Sequence, residues 1–154
     1  MLTLLENIRS GRRIFHGYDR KYRVFTDVVF STERHRLEGN KYFREMYHDY
    51  PGSFFILNNR TTEAWIESRI KHGNGSLLER QLSALNSKDR NDAIDLWKHE
   101  KLRHENDVRE FFRADPDHFL EIQIDDPEVP TKLSKFLGIA ADAEKWEVIG
   151  KSRN

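Results

Sequence analysis

The chain has no cysteine among its 154 residues. Disulfides, cysteine–zinc sites and a thiol nucleophile are therefore excluded. No apolar run approaches the length of a membrane span. The first residues, MLTLLENIRSGRR, put their apolar side chains before their charges, the reverse of a signal peptide. These absences lead to the expectation of a soluble, cytoplasmic protein. Net charge is also missing: 26 basic residues balance 26 acidic ones. That argues against a large electrostatic footprint for nucleic acid, while leaving room for a local basic patch. Neither a nucleic-acid nor a membrane partner is expected.

Two chemical motifs are absent as well. No G-x-x-x-x-G-K-[ST] loop occurs. Gly150, Lys151 and Ser152 copy its last three letters, but position 145 is Lys and only Arg153 and Asn154 follow. No helix can then cradle phosphates there. Nor does HEKLRH make a zinc helix, because His99 and His104 are five residues apart and point to different faces. No internal repeat or low-complexity segment is present. The length suits one domain, residues 1–154, and a chain of this size buries about 70% of its unfolded surface.

What is present centres on Phe54 to His72, FFILNNRTTEAWIESRIKH. Pro51 and Gly52 punctuate its start. Phe54, Phe55, Ile56 and Leu57 form a short apolar run suited to a buried strand. Thr61 and Thr62 can cap a following helix, and Glu63 places a negative charge in its first turn. Arg60 then falls between strand and helix. In an open α/β sheet that carboxyl edge is where ligands bind. Ser68 lies about two helical turns in, roughly 9 Å along the axis. Arg60 and Ser68 could grip one phosphate, the guanidinium as a charged fork and the hydroxyl as a further donor. The plainer reading is a solvated Arg and a helix-surface Ser.

The remaining pattern alternates strands and helices. Leu2, Leu4, Leu5 and Ile8 predict a short amphipathic helix that Gly11 ends. Val24 to Phe30 reads as a strand interrupted by Thr26 and Asp27. An acid between apolar flanks is either a turn residue or a site residue. Thr32 to Tyr50 reads mainly as helix, with Tyr42, Phe43, Met46, Tyr47 and Tyr50 near one face as core. Leu77 to Leu85 predicts a short helix and Asp92 to Arg113 a long charged one. On the latter, Ile94, Trp97, His104, Val108 and Phe111 recur at helical spacing, so His104 reads as a core histidine with one hydrogen-bond partner, the alternative being a histidine that faces a substrate cleft. Phe119 to Ile124 alternates like a strand. Asp125 to Glu128 turns into a last helix with Pro130 in its first turn, Leu133, Phe136 and Leu137 on its buried face, and Gly138 as its stop. The order indicates an α/β fold with a parallel sheet.

Three segments together resemble the sulfotransferase family in its bacterial form. Asn59-Arg60, Trp65 and Ser68 look like its 3′-phosphate-binding segment. His118 to Ile139 resembles its later strand, acidic turn and short helix, and Trp97 to Phe112 the long helix between them. The resemblance runs from about Val24 to the C-terminus. It implies a P-loop-containing nucleoside triphosphate hydrolase-like sulfotransferase fold, a parallel sheet flanked by helices, N-terminally incomplete. The first strand and phosphate loop would lie before Met1, leaving sheet edges open to a partner chain or a second copy. The resemblance implies 3′-phosphoadenosine 5′-phosphosulfate (PAPS) as co-substrate, without a metal, and a hydroxyl or amine acceptor on a small molecule or glycan. Arg60 and Ser68 would hold the 3′-phosphate, with Lys151 and Arg153 approaching it. Asp27 is the first candidate for a general base, with His16 and Glu33 behind it. The alternative is a non-catalytic nucleotide-binding or interaction module that keeps half of the cofactor site. A nucleotide kinase relative is disfavoured by the absent Walker motif.

Overall fold

The computed structural model describes residues 2–31 and 36–140. Its elements run α1 (Leu2–Arg9), β1 (Val29–Ser31), β2 (Arg36–Glu38), α2 (Phe43–Asp49), β3 (Phe55–Asn59), α3 (Thr62–Lys71), α4 (Ser76–Leu85), α5 (Arg90–Phe111), β4 (Phe119–Gln123) and α6 (Val129–Leu137). Short 3-10 turns cover Gly39–Tyr42, Phe112–Ala114 and Pro116–His118. The chain is α/β, as the alternating pattern indicates.

β3 and β4 are parallel, in register from Phe55 opposite Phe119 to Asn59 opposite Gln123. The Ile124 N–H extends the ladder to the Asn59 carbonyl at 2.8 Å. Helices α3, α4 and α5 form the crossover that parallel pairing requires. Strand alternation sets the two faces. Phe55 and Leu57 of β3 and Phe119 of β4 pack on a core of Phe43, Val108 and Phe112, whereas Ile56 and Asn58 turn outward to solvent. Phe112 and Phe119 stack with centroids 5.0 Å apart. Among the described residues β3 and β4 pair with each other only.

Helix α2 stands between two cores. Phe43 and Tyr47 join the cluster under the sheet. Tyr42, just before the helix, Met46, and Tyr50, just after it, join a second cluster around Leu4, Ile14 and Phe15. The aromatic stripe is core, as its spacing indicates. The helix is shorter than expected, however. Residues 32–35 lie outside the described residues, β2 occupies 36–38, and a 3-10 turn follows. Gly39 stands at the boundary between β2 and that turn. A Cβ there would meet Val28 Cγ1 and stand 2.6 Å from the Val28 carbonyl oxygen. That close approach seats Val28 against the end of β2, where only a glycine fits. The expected strand from Val24 is likewise reduced to Val29–Ser31, antiparallel to β2. Asp27 interrupts it with φ of +48°.

The crossover helices follow their local signals. Thr61 caps α3, its hydroxyl accepting the Ala64 N–H at 3.3 Å. Asp89 caps α5 through the Asn91 N–H at 2.8 Å. The buried stripe of α5 is Ala93, Trp97, Glu105 and Val108. The fully buried Trp97 indole donates to Gln81 Oε1 at 3.1 Å and ties α5 to α4. In α6, Val129 and Pro130 are buried, Leu133, Phe136 and Leu137 half-buried, and Gly138 ends the helix at φ +64°. No helix among the described residues is long and apolar enough to cross a membrane.

Candidate functional site

Where β3 ends, Asn59 uses its whole amide. Its Oδ1 accepts the Arg60 backbone N–H at 2.8 Å and Lys101 Nζ at 2.7 Å, and its Nδ2 donates to Glu121 Oε1 at 3.1 Å. Lys101 also pairs with Glu105, one turn along α5. Glu105 receives Arg109 Nη2 at 3.2 Å. Arg109 grips Glu121 with two bonds, Nε to Oε2 at 2.8 Å and Nη2 to Oε1 at 2.6 Å. The circuit Asn59–Lys101–Glu105–Arg109–Glu121 thus closes on itself. It joins β3, α5 and β4 and is charge-neutral. The Arg109 fork holds the Glu121 carboxyl below the usual carboxylate range, and that carboxylate in turn raises Arg109.

Above this circuit is a cavity of about 320 Å³. Its walls are the strand tip at Asn58–Arg60, Trp65 and Arg69 of α3, Glu100, Lys101, His104 and Glu105 of α5, the Asp27–Val29 segment, and the corner formed by Glu38, Asn40 and Lys41. Most of the charged groups here are internally matched. Lys41 stands 3.0 Å from Glu38 and 3.7 Å from Glu100. The Arg69 guanidinium lies between two indoles, 4.6 Å from the Trp65 ring centre and 4.7 Å from that of Trp97, with Glu38 at 4.0 Å.

The Arg60 Nε is shielded from solvent and has no hydrogen-bond acceptor among the described residues. Among the described residues no carboxylate pairs with its guanidinium. A shielded donor at the carboxyl end of a parallel strand, beside the capped N-terminus of α3, is a place where an anion gains hydrogen bonds that the protein does not itself supply.

His104 is half-buried. Its Nε2 pairs with Asn40 Nδ2 at 3.3 Å, and its ring stands edge-on to Phe43 with centroids 5.9 Å apart. Burial lowers its pKa, assisted by Lys41 and opposed by Glu38, Asp107 and Glu105. The ring is therefore neutral at pH 7. The single hydrogen-bond partner expected of His104 is there, and the same ring faces the cavity.

The structure brings Arg60 and Asp27 to walls of one cavity. Asp27 is exposed, in a turn closed by the Val29 N–H on the Asp27 carbonyl at 2.6 Å. Ser68 is exposed on α3 and does not line the cavity. His16 is exposed in the segment before β1 and is not part of the lining. Glu33, Lys151 and Arg153 lie outside the described residues. Sequence reasoning placed Asn59 in the Arg60 segment without a role of its own, and gave no site role to Lys101, Glu105 or Arg69. The i,i+4 spacing of Lys101, Glu105 and Arg109 was available, but on a charged helix that pattern ordinarily marks a solvated face. Among the described residues no three His, Asp or Glu side chains gather to hold a metal ion.

Comparison with models of protein families, with curated proteins and with solved structures finds no match to this chain.

Proposed function

We propose that this is a sulfotransferase-like protein, of P-loop α/β architecture, whose cavity takes the 3′-phosphate end of PAPS. The observation that supports this most is the Arg60 guanidinium, whose Nε is buried without an acceptor at the carboxyl tip of β3. A phosphate oxygen satisfies that donor. The cavity volume lies within the range of small-molecule sites. Bound there, PAPS supplies an activated sulfuryl group for a hydroxyl or amine acceptor. The chain's own part is to hold the phosphate through Arg60 and to fix the Arg60 backbone through Asn59 and Lys101. Asp27 presents a carboxylate on another wall of the same cavity, and the His104 ring, paired with Asn40, lines it as well.

A second reading is favoured by one sequence fact. No glycine-rich phosphate loop occurs in the 154 residues. Without its backbone donors the 5′-phosphosulfate loses its cradle, and the chain binds nucleotide without transferring sulfate.

The test is a thermal melt with adenosine 3′,5′-bisphosphate. At a hundred times its dissociation constant the ligand adds about 2.7 kcal/mol. In a domain of this size that raises Tm by roughly 5 to 10 °C. The rise should vanish in Arg60→Ala and shrink in Arg60→Lys, which keeps charge but loses the fork. No shift in a cooperatively melting wild-type protein, or an equal shift in Arg60→Ala, would overturn the site. Transfer of labelled sulfate from PAPS to a panel of hydroxyl and amine acceptors then separates enzyme from binder.

A further inference from the structure

The segment between Phe15 and Phe25 takes no part in the cavity, and its construction is specific. The two rings stack at 3.9 Å with planes 7° apart, clasping the ends of a nine-residue loop, 16–24. Phe15 is itself buried in the core with Leu4 and Ile14. The loop base is fastened again by Arg13 on Asp19 at 2.6 Å. The Tyr50 hydroxyl accepts the Phe15 N–H at 3.1 Å and donates to Asp19 at 3.2 Å. Within the loop the Tyr22 N–H returns to the Tyr18 carbonyl at 2.9 Å, one helical turn that places the two tyrosines on one side. A compact loop with closed ends and internal bonds is an ordered surface feature, and such loops are frequently functional.

What this loop displays is unusual for a solvated turn. Every residue from His16 to Val24 is exposed except half-buried Asp19. Asp19 supplies the loop's one carboxylate, and Arg13 already neutralises it. Arg20, Lys21 and Arg23 have no carboxylate partner among the described residues. Beside them stand Tyr18, 45% exposed, Tyr22, 47% exposed, and Val24, 76% exposed. In a chain of zero net charge, a fixed loop thus gathers three cations that have no carboxylate partner among the described residues, Lys21 lying over the Tyr22 ring at 5.2 Å, around an apolar tip.

We propose that the 16–24 loop docks the protein on the surface of an anionic lipid bilayer. Tyrosine rings settle at the headgroup level, with an apolar body and a polar tip. The cations meet lipid phosphates, and Val24 enters the acyl boundary. Single-stranded nucleic acid would use the cations and the tyrosine faces, but it has no use for an exposed aliphatic side chain, which offers no surface for a base to stack on. The contact is peripheral and independent of the sulfotransferase reading. It also sets the cavity near the membrane, because Asp27 follows the Phe25 clasp by two residues.

The full chain is sedimented with vesicles of phosphatidylcholine alone, and with vesicles of equal parts phosphatidylcholine and phosphatidylglycerol. Binding is expected to the anionic vesicles only, and to weaken with added salt. Replacing Arg20, Lys21 and Arg23 together by Gln should lower the partition coefficient about 100-fold. Tyr22→Ser with Val24→Ser should weaken binding even where salt has screened the charges. All five positions are exposed, and an unchanged melting curve confirms that the variants fold. Equal binding to both vesicle types, unchanged binding of the triple variant, or binding of a single-stranded oligonucleotide without binding of vesicles would each overturn the proposal.

Discussion

Lys101→Met breaks the polar circuit at an enclosed ion pair. The Lys101 side chain is 8% exposed and that of Glu105 9% exposed. Methionine keeps the apolar stem, so little packing is lost. What is lost is the ammonium that pairs with Glu105 and donates to Asn59 at 2.7 Å. Removing one partner of a buried ion pair costs about 3–5 kcal/mol, chiefly because a carboxylate is left buried. Here Glu105 retains Arg109 at 3.2 Å, which puts the expected loss at the lower end, about 3 kcal/mol. For a domain of this size that is a fall in Tm of roughly 6–12 °C. Urea unfolding followed by circular dichroism measures it directly. Lys101→Met combined with Glu105→Met removes both charges, and it should recover about 2 kcal/mol of the single-variant loss, since an apolar pair often replaces a buried ion pair without penalty. A single variant that loses under about 1 kcal/mol, with a double variant no better, would refute the circuit as a structural tie.

Two further outcomes follow from the cavity walls. His104→Gln should flatten the dependence of stability on pH. Burial holds the native His104 pKa below its unfolded value, so its contribution is complete above about pH 6.5 and is lost as pH falls toward and through the native value. The wild type should therefore lose more stability than the variant between about pH 7.5 and 5.5 in urea titrations, and parallel losses would contradict this assignment. Arg69→Met should cost about 2 kcal/mol, since the side chain is 13% exposed and its guanidinium faces both Trp65 and Trp97 and pairs with Glu38. Tryptophan fluorescence during urea unfolding reports both the stability and the altered indole environment, and an unchanged midpoint would show that the sandwich contributes nothing.

The parts of the fold that sequence reading recovered are those with local causes. Pro51-Gly52, the apolar run and Thr61 act within a few residues of β3 and α3, and strand, turn and helix stand as expected. Pro130 and Gly138 bound α6 for the same reason. The β1–β2 pairing has no such signal. Its strands are three residues each, and β2 precedes residues whose aromatic spacing runs smoothly into α2. Helical periodicity from Tyr42 to Tyr50 is real, but periodicity marks a face and not a boundary. At the boundary Gly39 meets Val28, eleven residues away in sequence, and a close backbone approach leaves no trace in a hydrophobic pattern.

The site divides along the same line. Arg60 was legible because a residue at the end of a parallel strand has its position fixed by the strand itself. Ser68 was legible only in height. Spacing along a helix gives the rise but not which flank meets the cavity, and Ser68 stands exposed beside the Trp65 and Arg69 positions that line it. The Asn59–Glu121 bond that completes the circuit spans 62 residues. No spacing rule on α5 can announce it, because the same i,i+4 charges on a solvated helix would look identical. Only the register of β3 with β4 puts Glu121 beside Asn59, and that register converts an ordinary row of helix charges into the support on which the Arg60 turn rests.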